Sequence, residues 1–401
     1  MIHRNINYLI STVATMGFAC AQSLYYVGDE AQESLPLKWT VGSNVIYDNN
    51  IVPIGVKEEA WSVNPYLQAS MTNVSPQTTI DLYARVGVIY FLTDLTNAGA
   101  DDTFPQARLG FDLLHNVNSR VRLASRNSFA YEFEPDYAQG FSSPRGSDPY
   151  ILWSSDNSIG YRWTARLGSY TGLTVGGLDT DNEIASRFSY ELYHNMRYQL
   201  TQRTVLVAGY RYSDWSGDQQ DSTNHFITGG FEHRLSPTEI LTASAGVQLR
   251  EVEGADNSTS PFAEAAYSAK LNTRVTVRGF ARYSIEDFDT VQLVGTDLFQ
   301  YADQQVLRVG INGSYALTPR LSAFGGLDYI TTAFDDGNQL GGALTDSGRS
   351  ENVFNASLGL RATINTALTG ECAVNFTDSG SDFAQREFDR VRVSAGVNYS
   401  F

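Results

Sequence analysis

The last residues of the chain constrain its fold more than any other stretch. From Val391 to Phe401 the sequence is VRVSAGVNYSF, in which apolar residues occupy every second position and polar or small residues lie between them. A period of two predicts a β-strand with one apolar and one polar face. About ten residues of tilted strand suffice to cross a hydrocarbon layer. The chain is therefore expected to end in a membrane-crossing strand or, alternatively, in an edge strand of a soluble sandwich.

Composition agrees with membrane strands. The chain has 401 residues and is 42% hydrophobic, yet its mean hydropathy is −0.24 and no apolar run after the first twenty residues is long enough for a transmembrane helix. Gly 34, Tyr 23 and Phe 21 against Met 4 favour strands and turns over helices. A formal charge of −16 makes nucleic acid an unexpected partner.

The amino terminus has the pattern of a secretory signal. His3 and Arg4 precede a mostly apolar run that closes in Ala19-Cys20-Ala21, so residues 1–21 are predicted to be a signal peptide cleaved after Ala21. Lipidation of Cys20 is the alternative, which the bulky Phe18 disfavours. Residues 22–36 are predicted to be a flexible periplasmic segment, and residues 37–401 a barrel.

Short turns of one kind divide the rest of the chain into hairpins. They contain Asn, Thr, Ser or Pro, which suit turns and not strand interiors. Longer loops rich in Asp, Gly and Asn alternate with them, which is the asymmetry of an outer-membrane barrel with short periplasmic turns and long extracellular loops. We predict an all-β, antiparallel up-and-down transmembrane barrel of about eighteen strands, or sixteen if the weakly alternating stretch 171–178 is not a strand. The short turns include 200–203, 235–238, 271–274, 317–320 and 364–367.

Two motifs resemble those of known proteins. The last strand, with Val397, Tyr399 and the terminal Phe401, resembles the insertion signal of Gram-negative outer-membrane barrels. Tyr47-Asp48-Asn49-Asn50 resembles the YD-x-N element of the β-barrel porin 2 family. The resemblance implies a porin-like barrel that the barrel-assembly machinery inserts into the outer membrane, with outer-membrane lipid and lipopolysaccharide around it.

The arginines indicate which strand face lines the lumen. Between Arg274 and Ile285, apolar or small residues alternate with Arg274, Arg278 and Arg282. Because an arginine on the lipid face costs roughly 2 to 4 kcal/mol near mid-bilayer, the arginine face is expected inside. The candidate selectivity residues chosen in this way are Arg120, Arg122, Arg126, Arg274, Arg278, Arg282, Arg308 and Arg361. Inward acids are fewer on these strand assignments, namely Asp81, Asp112, Glu191, Glu232, Glu264, Asp328 and Glu371.

We therefore expect a channel for passive diffusion of small hydrophilic solutes, biased toward anions by its arginines. The alternative for each arginine is a bracing ion pair with an inward acid. The alternative for the protein is a non-conducting barrel for adhesion or exopolysaccharide export, plugged by the loops Pro135–Pro149 or Asp335–Ser350. The oligomeric state is left open.

No enzyme chemistry is expected. The five histidines form no metal-binding motif, and the sequence has no nucleophile elbow and no P-loop. No catalytic residue, metal site or cofactor is predicted. A phospholipase-like Ser and His pair is the weaker alternative, and the acidic stretches Glu286–Asp289 and Asp335–Asn338 leave Ca²⁺ binding as another.

Overall fold

A computed structural model describes most of the chain after residue 33. The described residues are 34–51, 57–93, 102–132, 149–180, 186–217, 221–253, 257–286, 291–294, 297–301, 303–335, 337–339, 342, 344–383 and 386–401. The predicted signal peptide and the segment 22–33 lie outside them. Among these residues no helix has the length and apolarity that a membrane crossing requires.

Eighteen strands form one antiparallel sheet. They are β1 (Leu35–Asp48), β2 (Ala60–Val74), β3 (Thr78–Phe91), β4 (Thr103–Asn116), β5 (Val121–Glu132), β6 (Tyr150–Arg162), β7 (Leu167–Thr180), β8 (Arg187–Gln199), β9 (Thr204–Gly217), β10 (Ser222–Ser236), β11 (Glu239–Val252), β12 (Ser258–Lys270), β13 (Val275–Glu286), β16 (Gln304–Ala316), β17 (Leu321–Phe334), β20 (Arg349–Thr363), β21 (Leu368–Ser381) and β22 (Phe388–Ser400). A separate 4-stranded sheet contains β14 (Val291–Val294), β15 (Asp297–Tyr301), β18 (Gly337–Gln339) and β19 (Thr345–Asp346).

The large sheet closes on itself. Each barrel strand pairs with the next along the chain, and β22 pairs with β1 from Thr40↔Ser400 to Asp48↔Arg392. The prediction of an eighteen-strand up-and-down barrel is thus confirmed, including β7. Alternation in the sequence indicates a strand at 156–167 before the stretch 171–178. That placement of β6 is wrong, and β7 extends beyond 171–178 at both ends. The turn between these strands lies instead at Trp163–Arg166, where Thr164 accepts hydrogen bonds from the backbone.

That turn repeats around one rim of the barrel. The side-chain oxygen of an Asn or Thr accepts the backbone N–H groups two and three residues later, which satisfies donors that the reversal would leave unpaired. Asn118, Thr164, Thr201, Asn272, Thr318 and Asn365 do this. The strand ends that border the long connections all lie at the opposite rim. Both ends of the barrel chain, β1 and Phe401, lie at the rim of the short turns.

Side chains alternate between an apolar exterior and a polar interior. On β1, Leu37, Val41 and Val45 are 49%, 50% and 43% exposed, whereas the intervening Thr40 and Asp48 are 9% and 4% exposed. The same period of two runs through the other barrel strands. The exterior is therefore the surface that contacts lipid.

The YDNN element joins the first strand to the last. Arg390 on β22 makes a bidentate ion pair with Asp48, whose side chain is buried. Asn49 Oδ1 accepts the Val391 N–H at 2.7 Å, and Asn50 Nδ2 donates to the Asp389 carbonyl at 2.9 Å. We call Asp48, Asn49, Asn50 and Arg390 the closure clasp. It holds the one strand pair of the barrel whose members are far apart in sequence.

Inward aromatic rings lie flat against glycines on the neighbouring strand. An ideal Cβ on Gly359 would lie 2.3 Å from the Phe324 ring, and one on Gly172 would lie 2.3 Å from the Tyr193 ring. In each case the aromatic residue is directly opposite the glycine in the ladder. The rings thus cover the inner wall instead of projecting into the lumen. The same arrangement joins Tyr66 to Gly42, Tyr170 to Gly160 and Phe280 to Gly310.

We expect Gly359→Val to destabilise the barrel by about 1 to 3 kcal/mol, because the added atoms overlap the Phe324 ring. Urea unfolding in detergent measures this. Phe324→Ala in the same chain should restore part of the loss, since the overlap is then gone. Gly229→Val is the matched control, because nothing lies within 4 Å of a Cβ there. Equal losses in the two glycine variants would contradict the prediction.

Candidate functional site: the barrel lumen

The lumen is lined by polar and charged side chains from every part of the barrel wall. Of the predicted selectivity residues, Arg122 and Arg126 lie on the inward face of β5, and Arg278 and Arg282 on that of β13. Their outward neighbours include Leu123, which is 39% exposed. Arg308 and Arg361 also face inward, on β16 and β20. These six residues therefore surround the lumen on three parts of its circumference.

Arg120 and Arg274 lie elsewhere. They are exposed residues of the short turns before β5 and β13, where their backbone N–H groups donate to Asn118 and Asn272 at 2.8 Å and 2.7 Å. The sequence pattern put them on the strands because they continue the alternation by one step. Arg166, Arg203 and Arg320 occupy the same position of their turns. These arginines form a basic rim on the side of the short turns.

Arg126 shows how the lumen combines charges. It lies opposite Asp112 on β4 and Asp156 on β6. Asp156 in turn accepts a hydrogen bond of 2.8 Å from the Tyr193 hydroxyl. With one arginine between two carboxylates, this part of the wall has more acidic than basic groups.

Several inward acids escaped the sequence analysis, and most of them pair with arginines. Arg308 binds Glu286 with both ends of its guanidinium, at 2.9 Å and 2.5 Å, and Arg386 binds Glu351 at 2.7 Å. Both acids lie near strand ends. Glu286 falls in a stretch interpreted as loop, and extending the period of two along β13 would have found it, whereas Glu351 directly follows the loop Asp335–Ser350 at the start of its strand. The missed inward acids are Asp48, Glu132, Asp156, Glu286 and Glu351. Such ion pairs are the alternative to a selectivity role that the sequence left open for each arginine. Arg361 forms one as well, with Glu371 at 2.6 Å.

Arginines and aromatic rings meet on β9 to β13. The Arg211 guanidinium lies 3.9 Å from the centroid of the Phe226 ring and 3.5 Å from Glu191. Arg282 lies 5.8 Å from the Phe262 ring, and opposite Glu264 and Arg308 in the ladder. The face of an aromatic ring attracts a guanidinium cation and helps to hold it in place. This group therefore presents fixed positive charge beside fixed negative charge.

The long-loop end of β13 separates from β12. Their ladder ends at Ala263↔Tyr283, and its continuation would place Ile285 opposite Pro261, which has no N–H to donate. Gln248 of β11 replaces the missing partner: its Nε2 donates to the Ile285 carbonyl and its Oε1 accepts the Ile285 N–H, both at 3.0 Å. Because Gln248 faces inward, the end of β13 leans into the lumen. The last residues of β13, up to Glu286, therefore lie inside the wall.

The 4-stranded sheet lies at the long-loop end of the barrel, which is the mouth of the lumen. Tyr301 of β15 is 0% exposed and packs edge to face against Phe334 of β17 and Phe383. Asp303, just after β15, binds Arg250 of β11 at 2.6 Å. The sheet is thus tied to inward side chains on widely separated barrel strands, and we call it the mouth sheet. Of the two loops predicted as plugs, Asp335–Ser350 contributes β18 and β19, while Pro135–Pro149 lies almost wholly outside the described residues.

An ion pair fixes one edge of the mouth sheet. The Arg349 guanidinium donates to both oxygens of Asp346, and the Tyr301 hydroxyl donates to Oδ2 at 2.6 Å. The bonds from Arg349, and then that from Tyr301, hold the pKa of Asp346 below its ordinary value. Burial and the neighbouring carboxylate raise the pKa of Tyr301, so its hydroxyl stays a donor.

Acid should release this edge. Because the pKa of Asp346 is lowered in the folded loop, its contribution is complete above the ordinary aspartate pKa of about 4 and is lost as the pH falls through the lowered value. We expect the conductance of the barrel in a planar bilayer to rise in that range. Asp346→Asn should conduct at neutral pH as the acidified protein does and show no further acid step. An acid step of unchanged size in Asp346→Asn would refute this.

No described group of His, Cys, Asp or Glu could hold a metal ion. Glu286, part of one acidic stretch considered for Ca²⁺, is paired with Arg308. The rest of that stretch, and Asp336 of the other, lie outside the described residues.

The carboxy-terminal motif completes the wall. Val397 and Tyr399 are both 53% exposed and face outward on β22. Phe401 exchanges backbone hydrogen bonds with Trp39 of β1, at 2.9 Å and 3.0 Å. The terminal residue is therefore part of the closed ladder.

A closed antiparallel barrel of eighteen strands, apolar outside and polar inside, with short turns at one rim and long loops at the other, is an outer-membrane β-barrel of the porin type. Its place is the bacterial outer membrane.

Comparison with protein-family models finds no match, and comparison with curated proteins finds none either. Among solved structures the chain is similar to OpdK of Pseudomonas aeruginosa with vanillate, with a TM-score of 0.45 and 14% identity over 91% of this chain and 99% of that one. It is also similar to OccK2 (OpdF) of the same organism in complex with glucuronate, with a TM-score of 0.46 and 14% identity over 92% of this chain and 100% of that one. OccAB4 of Acinetobacter baumannii is similar to it with a TM-score of 0.43 and 12% identity over 92% of this chain and 99% of that one. The assignment to the porin type rests on the barrel itself.

Proposed function

We propose that the protein is a porin-like channel through which small hydrophilic solutes diffuse across the outer membrane. The observation that carries this is the closed ring of eighteen strands with a charged and hydrogen-bonding inner wall. Barrels of this strand number enclose an aqueous channel unless loops fill it. The glycine–aromatic contacts add support, because they keep large rings out of the bore.

We further propose that the channel prefers anions. Arg278 lies opposite Ser268 and Asn312 in the ladder, and Arg282 lies opposite Arg308 as well as Glu264. Positive charge is thus concentrated along β13 and the adjoining part of β16. Rings of charged side chains select ions of the opposite sign in pores.

The reversal potential of the purified barrel in a planar bilayer under a KCl gradient tests both proposals. We expect discrete conductance steps with chloride preference, and loss of that preference in Arg278→Ala with Arg282→Ala. The control is Arg120→Ala with Arg274→Ala, which removes the same charge from the turns and should leave the preference largely intact. Conductance without any preference would remove the anion proposal alone. A correctly folded barrel that does not conduct would overturn the channel and favour adhesion or exopolysaccharide export.

The chain ends are proposed to direct the protein to its membrane. Residues 1–21 would act as a cleaved signal peptide and residues 22–36 as a periplasmic segment, of which 35 and 36 already belong to β1. Val397, Tyr399 and Phe401 would be the signal that the barrel-assembly machinery reads. The position of Phe401 in the closing ladder supports this. Membership of the β-barrel porin 2 family, through the YDNN element, remains part of the same proposal.

A further inference from the structure

Four polar side chains form a hydrogen-bonded group on the lipid face of β5 and β6. Ser125 Oγ donates to Asn157 Oδ1 at 2.7 Å, and Asn157 Nδ2 donates to Ser155 Oγ at 2.9 Å. Ser155 Oγ donates to Asn127 Oδ1 at 2.7 Å, and Asn127 Nδ2 donates to Ser125 Oγ at 3.0 Å. Each hydroxyl and each amide gives one bond and takes one. We call these four residues the polar ring.

The polar ring faces outward in the middle of the wall. Its four residues lie on the same strand face as Leu123 and Ile159, which are 39% and 50% exposed. Arg126 and Asp156, which lie between them along the strands, face the lumen. The ring lies near the middle of both strands. At this depth the surrounding surface should contact hydrocarbon.

Apolar side chains surround the ring on every side. Leu123 and Ile159 lie toward the short turns, and Phe129 and Trp153 toward the long loops. Beside the ring, β4 presents Phe111 and Leu113, and β7 presents Leu173 and Val175. Other outward polar contacts on the described strands lie nearer the strand ends: Thr78 with His115 and Thr204 with His233 toward the short turns, and Tyr210 with His225 and Tyr329 with Asn352 toward the long loops. A surface made only for lipid would carry apolar residues here as well.

The ring does not use all its hydrogen-bonding groups. An asparagine amide has two N–H donors, and within the ring Asn127 and Asn157 each use only one of them. Asn127 Nδ2 also lies 3.5 Å from the Phe111 carbonyl, but no described acceptor lies near the second donor of Asn157, whose side chain is exposed. In lipid such a donor is unfavourable, because acyl chains cannot accept a hydrogen bond. The outermost group of the ring is therefore suited to a protein acceptor.

We propose that the polar ring is the contact through which a second copy of this chain docks in the membrane. Acyl chains offer no donor or acceptor at this depth, and the backbone of another barrel is satisfied within its own ladder. A second copy supplies the same ring at the same depth when a twofold axis runs parallel to the barrel axis. Two Asn157 amides facing each other across that axis exchange N–H and C=O groups reciprocally. The surrounding apolar side chains then pack around a hydrogen-bonded centre.

Disulfide trapping in outer membranes tests this directly. The reporter is Ile159→Cys, next to the ring, in a chain whose own cysteines are replaced by Cys20→Ala and Cys372→Ala. We expect oxidation to give a disulfide-linked dimer. Ile311→Cys on β16 is the matched control, since Ile311 is also lipid-facing, 51% exposed and on the far side of the barrel, and it should give none.

Removing the ring should remove the dimer. In the reporter chain with Ser125→Ala, Asn127→Leu, Ser155→Ala and Asn157→Leu, the expected yield falls about tenfold, because reciprocal interface hydrogen bonds are lost. Asn157→Leu alone should have much of this effect and is a second variant if the fourfold change impairs folding. Retained resistance to detergent unfolding shows that the barrels are folded. Equal trapping by the Ile159→Cys reporter with and without the ring, or equal trapping by the Ile311→Cys control, would overturn the proposal.

Discussion

Arg390→Ala is expected to destabilise the barrel by about 3 to 5 kcal/mol. The Arg390 side chain is 2% exposed, and its partner Asp48 is 5% exposed. Removing one member of a buried ion pair leaves the other charge poorly compensated, and such a loss is costly. Arg392 Nε, 3.3 Å from Asp48, is more exposed than Arg390 and should offset only part of it. Here the pair also lies in the closure clasp. The free energy of unfolding in urea, followed by tryptophan fluorescence in detergent micelles, measures the change.

A surface pair on the same two chain segments provides the control. Lys57 binds Asp389 at 2.6 Å, but the two side chains are 48% and 58% exposed. Lys57→Ala should therefore cost less than about 1 kcal/mol. Asp48→Asn with Arg390→Gln, which removes both charges, should be less damaging than Arg390→Ala alone. If Arg390→Ala and Lys57→Ala have similar effects, the closure clasp does not hold the barrel together.

Tyr301→Ala should open the channel while leaving the barrel stable. The Tyr301 ring packs against Phe334 and Phe383, and truncation of a buried aromatic ring costs about 3 kcal/mol or more. The mouth sheet consists of strands of five residues or fewer, which cannot offset such a loss. We expect single-channel conductance to rise severalfold, with unchanged barrel unfolding.

Leu344→Ala tests whether the effect belongs to Tyr301. Leu344 lies between β18 and β19 of the same mouth sheet but is 58% exposed, so its truncation should change neither conductance nor stability. A Tyr301→Ala channel with wild-type conductance would show that the mouth sheet does not obstruct the solute path.

The barrel can be predicted from the sequence, but the balance of charges in its interior can be predicted only in part. Alternation along each strand, together with turns that exclude strand, is enough to predict an eighteen-strand barrel and the inward face of β13. The missed acids Glu286 and Glu351 lie where strands meet loops rich in carboxylates. At Glu286 the composition indicated a loop although the alternation of β13 continued. The excess of arginine expected in the lumen was therefore too large.

Other features depend on contacts that no local pattern shows. The mouth sheet joins two loops that are separated by β16 and β17, so its pairing is invisible in either loop. The polar ring needs Asn127 and Asn157 to be adjacent, which depends on the register of β5 against β6. The role of Pro261 is likewise apparent only once Gln248 and Ile285 lie beside it.

The repeated turns have a consequence for how such a barrel changes in size over evolution. Six of the short turns are completed by their own Asn or Thr, as with Thr201 and Asn272, whose side-chain oxygens accept backbone N–H groups of the same hairpin. The closure clasp joins the two ends of the barrel chain, and its residues lie on or next to the first and last strands. A whole hairpin can therefore be duplicated or lost between them without disturbing either device. In such a lineage the circumference of the pore is set by the number of hairpins, and it can grow or shrink by two strands at a time.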